Sequence, residues 1–271
     1  MSSITIVCRD VDHQNAHAEA LSAGLRALGI GVKRCTAPPS VRTEVAACWG
    51  WRMGQRLRLA GADVLVMERG YLGDRFKWTS LCWNGLNGYG AFPPTPHDGG
   101  ERFNTHHGYL MQPWRDGGDY VLIIGQVPGD ASLKGRDLRP WYADCARRAK
   151  VFGLPIVFRP HPLAHRRGGV HAVPGTVMQQ GTLGEALAGA AVTIVYNSNT
   201  AVESVLAGVP TICMDRGSMA YDMCSHDFDA PLIRPDRMQW AHTLAWRQWS
   251  LDEISSGEAL RSFTQRQSEV A

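Results

Sequence analysis

Apolar positions along the chain fall into short β-branched runs separated by stretches of helical period, which is the alternation expected of an α/β protein. Ser3–Arg9 (SITIVCR) reads as a buried strand. A polar loop, Asp10–Asn15, precedes a helix over Ala16–Leu28, with apolar positions at Ala20, Leu21, Ala23, Leu25 and Leu28. Gly29 and Gly31 end it, and Val32–Cys35 is the next strand. Pro38–Val45 reads as a connector and Trp49–Ala60 as a helix, followed by a strand over Asp63–Met67. Residues 70–118 are long, rich in Gly, Pro, His and Trp, and without period, so they predict a functional wall and a crossover rather than regular structure.

Alternation then resumes. Tyr120–Gly125 predicts a strand, Asp137–Phe152 a helix and Ile156–Arg159 a strand. Glu185–Ala190 predicts a short helix and Val192–Tyr196 a strand. A polar turn at Asn197–Asn199 leads to a helix over Thr200–Ala207, and Thr211–Met214 closes the series. A loop over 216–229, a helix over Arg237–Trp249 and a last helix opened by the capping-box pattern Ser250-x-x-Glu253 complete the reading. The polar end after Phe263 is expected to fray. The fold class is therefore α/β, as two Rossmann-like halves expected to face a cleft, the first over 1–115 and the second over 116–271, with the final helices crossing back.

Composition sharpens this only in part. With 271 residues and 44% hydrophobic content the chain can bury a full core. The net charge of +3 permits an anionic partner without demanding one. Seven cysteines show no C-x-x-C and no regular spacing, which predicts reduced thiols and a cytoplasmic setting. The opening MSSITIVC reads as a strand, not a signal peptide, and no apolar run approaches a membrane span. His97, His106 and His107 fit no zinc spacing, and neither G-x-G-x-x-G nor a P-loop occurs. The expectation is no metal, and no cofactor beyond a co-substrate.

Candidate chemistry clusters where predicted strands end. Arg159-Pro160-His161-Pro162 follows one strand, with the basic loop 165–169 behind it; Asn197-Ser198-Asn199-Thr200 follows another and opens a helix, where free N–H groups favour an anion. Val121–Leu133 (VLIIGQVPGDASL) carries Gly125, Gln126 and Ser132 after a third. These three motifs, in this order, resemble the nucleotide-binding half of bacterial GT-B sialyltransferases and capsule Kdo transferases, over roughly Val121–Asp215, with a phage-type member as one possibility. The resemblance implies that Gly125, Gln126, Ser132, Arg159, His161, Asn197, Ser198, Asn199, Thr200 and Glu203 hold a nucleotide-sugar donor, with His161 also assisting the leaving group.

The first half carries a partial match. Glu68-Arg69-Gly70-Tyr71-Leu72 looks like the family segment that holds the general base, but the family has two adjacent acids and this chain has Arg69 at the second place. Glu68, Asp74 or Asp10 is then left as the base; the chemistry needs only a carboxylate within reach of the acceptor hydroxyl. Arg52, Arg56, Arg75, Lys77, Trp78 and Trp83 are candidate acceptor contacts. They suit a glycan or, through phosphates and stacking, duplex DNA carrying hydroxymethylated bases. The expected function is transfer of a sugar from a nucleotide-activated donor. A GT-B-fold nucleotide-sugar epimerase and a non-catalytic nucleotide-binding protein are the alternatives.

Overall fold

The computed structural model describes residues 3–39, 43–167 and 172–265, and it divides into two compact units, 1–106 with 238–271, and 107–237. In chain order the first unit holds β1 (Ser3–Val7), α1 (Asp12–Ala27), β2 (Gly31–Cys35), β3 (Val45–Trp49), α2 (Trp51–Leu59), β4 (Asp63–Arg69) and β5 (Thr79–Trp83). A helix over Glu101–His107, α3, ends it. The second holds β6 (Tyr120–Ile124), α4 (Arg139–Arg148), β7 (Ile156–Arg159), β8 (Val177–Met178), α5 (Leu183–Ala188), β9 (Ala190–Val195), α6 (Thr200–Leu206) and β10 (Thr211–Cys213). The chain then returns to the first unit with α7 (Met238–Ala245), β11 (Gln248–Trp249), α8 (Leu251–Ser255) and α9 (Glu258–Gln265). Both units are α/β, as the alternation predicts.

The first sheet runs β11-β5-β4-β3-β1-β2. Its strands β2, β1, β3 and β4 are parallel, and β5 and β11 add on antiparallel. Period-two alternation sends Leu65 and Met67 of β4 into one core and Val64 and Val66 into the core on the opposite face. Helix α1 closes the first of these cores together with α8 and α9. The second sheet runs β10-β9-β6-β7-β8 and is parallel throughout, with α4 packed over its core.

Three predicted stretches differ. Strand β3 (VAACW) runs from the last residue of the expected connector to the first of the expected helix, through Ala46–Cys48, whose small residues predict no element; Ala46, Ala47 and Cys48 are nonetheless fully buried in mid-sheet. The aperiodic segment 70–118 contains β5 and α3, and Trp83 of β5 lies in the core rather than on an acceptor wall. The helix expected over 237–249 stops at Ala245, and Gln248–Trp249 pairs with β5. The capping box at Ser250 forms as predicted, with the Glu253 N–H donating to Ser250 Oγ (3.2 Å) and the Ser250 N–H to Glu253 Oε2 (2.7 Å). Residues 168 and 169 of the basic loop 165–169, and the end of the chain after residue 265, lie outside the described residues.

Candidate functional site

In a parallel sheet the crevice for a ligand opens where the strand order reverses, outside the carboxyl ends of the two strands that flank the reversal. In the second unit that point lies between β6 and β9. Gly125 and Gln126 leave β6, and Tyr196 and Asn197 leave β9.

The two exits are tied together by amides. Gln126 Nε2 donates to Asn197 Oδ1 (2.9 Å), and the Asn197 N–H donates back to Gln126 Oε1 (3.1 Å). Asn197 Nδ2 donates to the Ser132 carbonyl (3.0 Å) and to Asp215 Oδ1 (2.9 Å). Both amide hydrogens of Asn197 are thereby used, and the side chain is buried. Asn197 and Gln126, expected to touch a donor, instead form the floor that holds three loops in register. Gly125 is a second correction. Its N–H donates to the Arg159 carbonyl (2.8 Å), and an added Cβ would stand 3.0 Å from Phe158 and 3.1 Å from the Pro160 Cα. Close packing against the exit of β7, rather than close approach of a phosphate, accounts for this glycine.

Above this floor the polar groups are more open. Ser198 and Thr200 are half-buried, with their hydroxyls 3.1 Å apart, and the Thr200 N–H donates to Ser198 Oγ (3.2 Å). Asn199 is the first flanking residue of α6 and provides no side-chain cap; Glu203 is half-buried one turn on. Arg159 is half-buried at the end of β7 and donates to Gln179 Oε1 (2.7 Å). The Leu163 N–H donates to His161 Nδ1 (3.0 Å), so the neutral ring carries its proton on Nε2, as a donor. Ser132 N–H and Oγ both donate to Asp130 Oδ1 (2.9 and 2.7 Å), so its hydroxyl is already engaged.

Sequence reasoning missed several members. Tyr142 accepts from the Gln126 N–H (2.8 Å), and burial pushes its phenol up to about 12, against the lowering effect of that hydrogen bond. Asp215 also accepts from the Gly217 N–H (2.9 Å), and the Arg136 guanidinium lies 5.5 Å over the Tyr196 ring. Asp215 was legible as the residue just past the last strand run; Tyr142 and Arg136 carried no signal beyond their helix and loop.

The reversal in the first unit lies between β1 and β3. Asp10 follows β1, exposed, and accepts from Asn15 Nδ2 (2.7 Å). Trp49 ends β3, with the rings of His17 and His13 at 4.4 and 5.4 Å. Glu68, half-buried near the end of β4, accepts from the Trp51 N–H (3.2 Å). Asp74 is exposed and accepts from the Phe76 N–H (3.0 Å). Arg75 Nε donates to the Gly70 carbonyl (2.7 Å). Arg52, Arg56 and Lys77 are exposed, the first two on α2, and Trp78 is half-buried with its ring edge-on to His106.

With strand order and site geometry set out, the likeness to solved structures can be stated. The fold is similar to that of solved GT-B glycosyltransferases. Thermosulfurimonas dismutans KpsC supplies two similar structures. Its beta Kdo 2,7 transferase is 13% identical with a TM-score of 0.59, over 98% of this chain and 100% of that one. Its beta Kdo 2,4 transferase is 16% identical with a TM-score of 0.57, over 92% of each chain. A UDP-GlcNAc 2-epimerase from Methanocaldococcus jannaschii aligns at a TM-score of 0.37, too low to bear on the alternatives. No protein-family profile and no curated protein sequence matches the chain. Among the described residues no helix is long and apolar enough to cross a membrane.

Proposed function

We propose that the chain transfers a sugar from a nucleotide-activated donor to an acceptor hydroxyl, without a metal and with the nucleotide sugar as its only co-substrate. The observation that carries the reading is the switch point between β6 and β9, floored by the Gln126–Asn197 pair, with Ser198 and Thr200 after β9 and Arg159 and His161 at the exit of the neighbouring strand β7. Helix α6 has seven residues, so its dipole is a minor contribution; the hydroxyls, the guanidinium and the imidazole are the main anion ligands.

In the step, the acceptor oxygen bonds to the anomeric carbon while the bond from that carbon to the phosphate oxygen breaks. The electron pair leaves with the nucleotide phosphate, which Arg159, His161 Nε2–H, Ser198 and Thr200 stabilise. The acceptor proton passes to a carboxylate. Glu68 is favoured, because the Trp51 N–H holds it in place, whereas Asp10 and Asp74 are exposed. The similar structures are named as Kdo transferases, which favours a glycan acceptor over a DNA base.

The test is a thermal-shift panel of CMP, UMP, UDP, GDP, ADP and dTDP. One nucleotide raises the melting temperature by mass action. His161→Ala with Ser198→Ala weakens that nucleotide at least tenfold, the order expected for losing a charge-assisted hydrogen bond. A panel without a response, or a double variant that responds like the parent, overturns the reading.

A further inference from the structure

Arg69 stands where the resembled family carries its second acid. It ends β4, beside Glu68 and one strand removed from the reversal between β1 and β3. Its guanidinium lies 4.5 Å from the Phe76 ring centre and 5.3 Å from that of Trp49. Phe76 is 76% exposed, a large apolar surface left in water with the arginine against it. Among the described residues none accepts a hydrogen bond or forms an ion pair with Arg69, although the side chain is half-buried. Burial first, and Arg75 second, hold it below the ordinary guanidinium range; Glu68 and Asp74 act in the opposite direction without bonding to it. His13, against the same Trp49 ring, is held low by burial and then by Arg69 and Arg9, so the cationic field extends across the exits of β1 and β3.

A guanidinium offers five donors in a planar fork, and aromatic faces fix its plane without using any of them. A partly desolvated fork of this kind, with its donors unspent, matches a carboxylate or phosphate in two parallel hydrogen bonds. We infer that Arg69, clamped by Trp49 and Phe76, is a binding residue for an anionic group on the acceptor, so that the acceptor is a charged saccharide rather than a neutral one. This rests on the transferase reading above. The substitution of an acid by Arg69 then changes what the first unit recognises, while Glu68 stays available as the base.

The test titrates the full chain, without nucleotide, with glucose 6-phosphate, glucuronate and glucose, followed by saturation-transfer NMR. At least one anionic sugar binds, weakening as salt rises, and glucose does not. Arg69→Gln loses at least tenfold in that affinity, and Arg69→Lys, which keeps the charge and the stem but lacks the fork, falls between. The nucleotide response of Arg69→Gln stays at the parent level, which also shows that the variant folds. If that variant does not fold, Arg69→Lys alone reads the loss of the fork. A parent that treats the three sugars alike, or an Arg69→Lys and Arg69→Gln pair that bind as the parent does, overturns the inference. Loss of the nucleotide response in the parent would overturn the transferase reading instead, so the two failures are distinct.

Discussion

Asn197 shows how a residue that reads as a ligand contact becomes a structural pin. Its neighbours Ser198 and Thr200 keep hydroxyls near the surface, while its own amide is spent on Gln126, Ser132 and Asp215. Asn197→Ala takes the acceptor from the buried Gln126 amide and the donor from the Ser132 carbonyl, and removes one of the bonds to Asp215; the expected loss is about 3 kcal/mol at one to three per unsatisfied group. Urea denaturation checks it; a loss within a few tenths would mean that the loops hold their register unaided. Arg69 and Trp83 make the same point in opposite directions. The arginine reads as a defect in a motif and is the better-placed group, whereas the tryptophan reads as a stacking surface and is packed in the core.

Helices α1 and α8 meet at a glycine. A Cβ built on Gly24 would lie 1.9 Å from the Ile254 carbonyl oxygen and 3.0 Å from Leu260, so α8 sits against bare backbone. Two effects compete in Gly24→Ala. Helix propensity favours alanine by about 1 kcal/mol, and overpacking costs about 1–3 kcal/mol. The obstacle is a backbone atom that no rotamer change can remove, so the packing cost wins and the variant melts at lower temperature. A higher melting temperature in calorimetry would show that α8 can slide away. Strand β3 depends on the same logic of small residues. Ala46 and Ala47 fill positions where two cores leave little room, which is why a propensity reading passed over them.

The return of residues 238–265 to the first unit is secured by Arg102 on α3. Its Nε donates to the Ala245 carbonyl (2.7 Å) and Nη2 to the Gln248 carbonyl (3.0 Å), and it pairs with Glu253. The Trp249 and Trp246 rings lie 4.6 and 4.9 Å from the guanidinium. Burial alone would raise the Glu253 carboxyl; the bonds from Arg102 and Ser250 outweigh it and hold the group below its ordinary value of 4.5. A carboxylate lowered on folding contributes stability that is present above that ordinary value and is lost as pH falls through the lowered one. Acid should therefore destabilise the first unit below about pH 4.5, with Trp246 and Trp249 fluorescence following the change. Arg102→Met leaves the half-buried Glu253 carboxylate with its Ser250 bonds alone. It should cost about 3 kcal/mol at neutral pH, the low end for breaking a buried pair, and shrink the acid loss, because the folded-state value moves back toward or above the ordinary one and protonation then relieves burial. An acid limb of the same size in both proteins would exclude Glu253 as its source.

Local pattern determined the class of the fold and most of its strands, because β-branched runs and helical period are written residue by residue. It also determined which segments end at carboxyl edges, and so drew attention to His161, Ser198 and Glu68 before their surroundings were known. Tertiary structure alone decided the strand order, since pairing joins residues far apart in the chain and its reversal points define where ligands can enter. It decided, too, which polar side chains are consumed in holding loops together and which remain to meet a substrate. That distinction depends on neighbours from other strands: Gln126 closes on Asn197 across the switch point, while Trp49 and Phe76 close on Arg69 and leave its donors open.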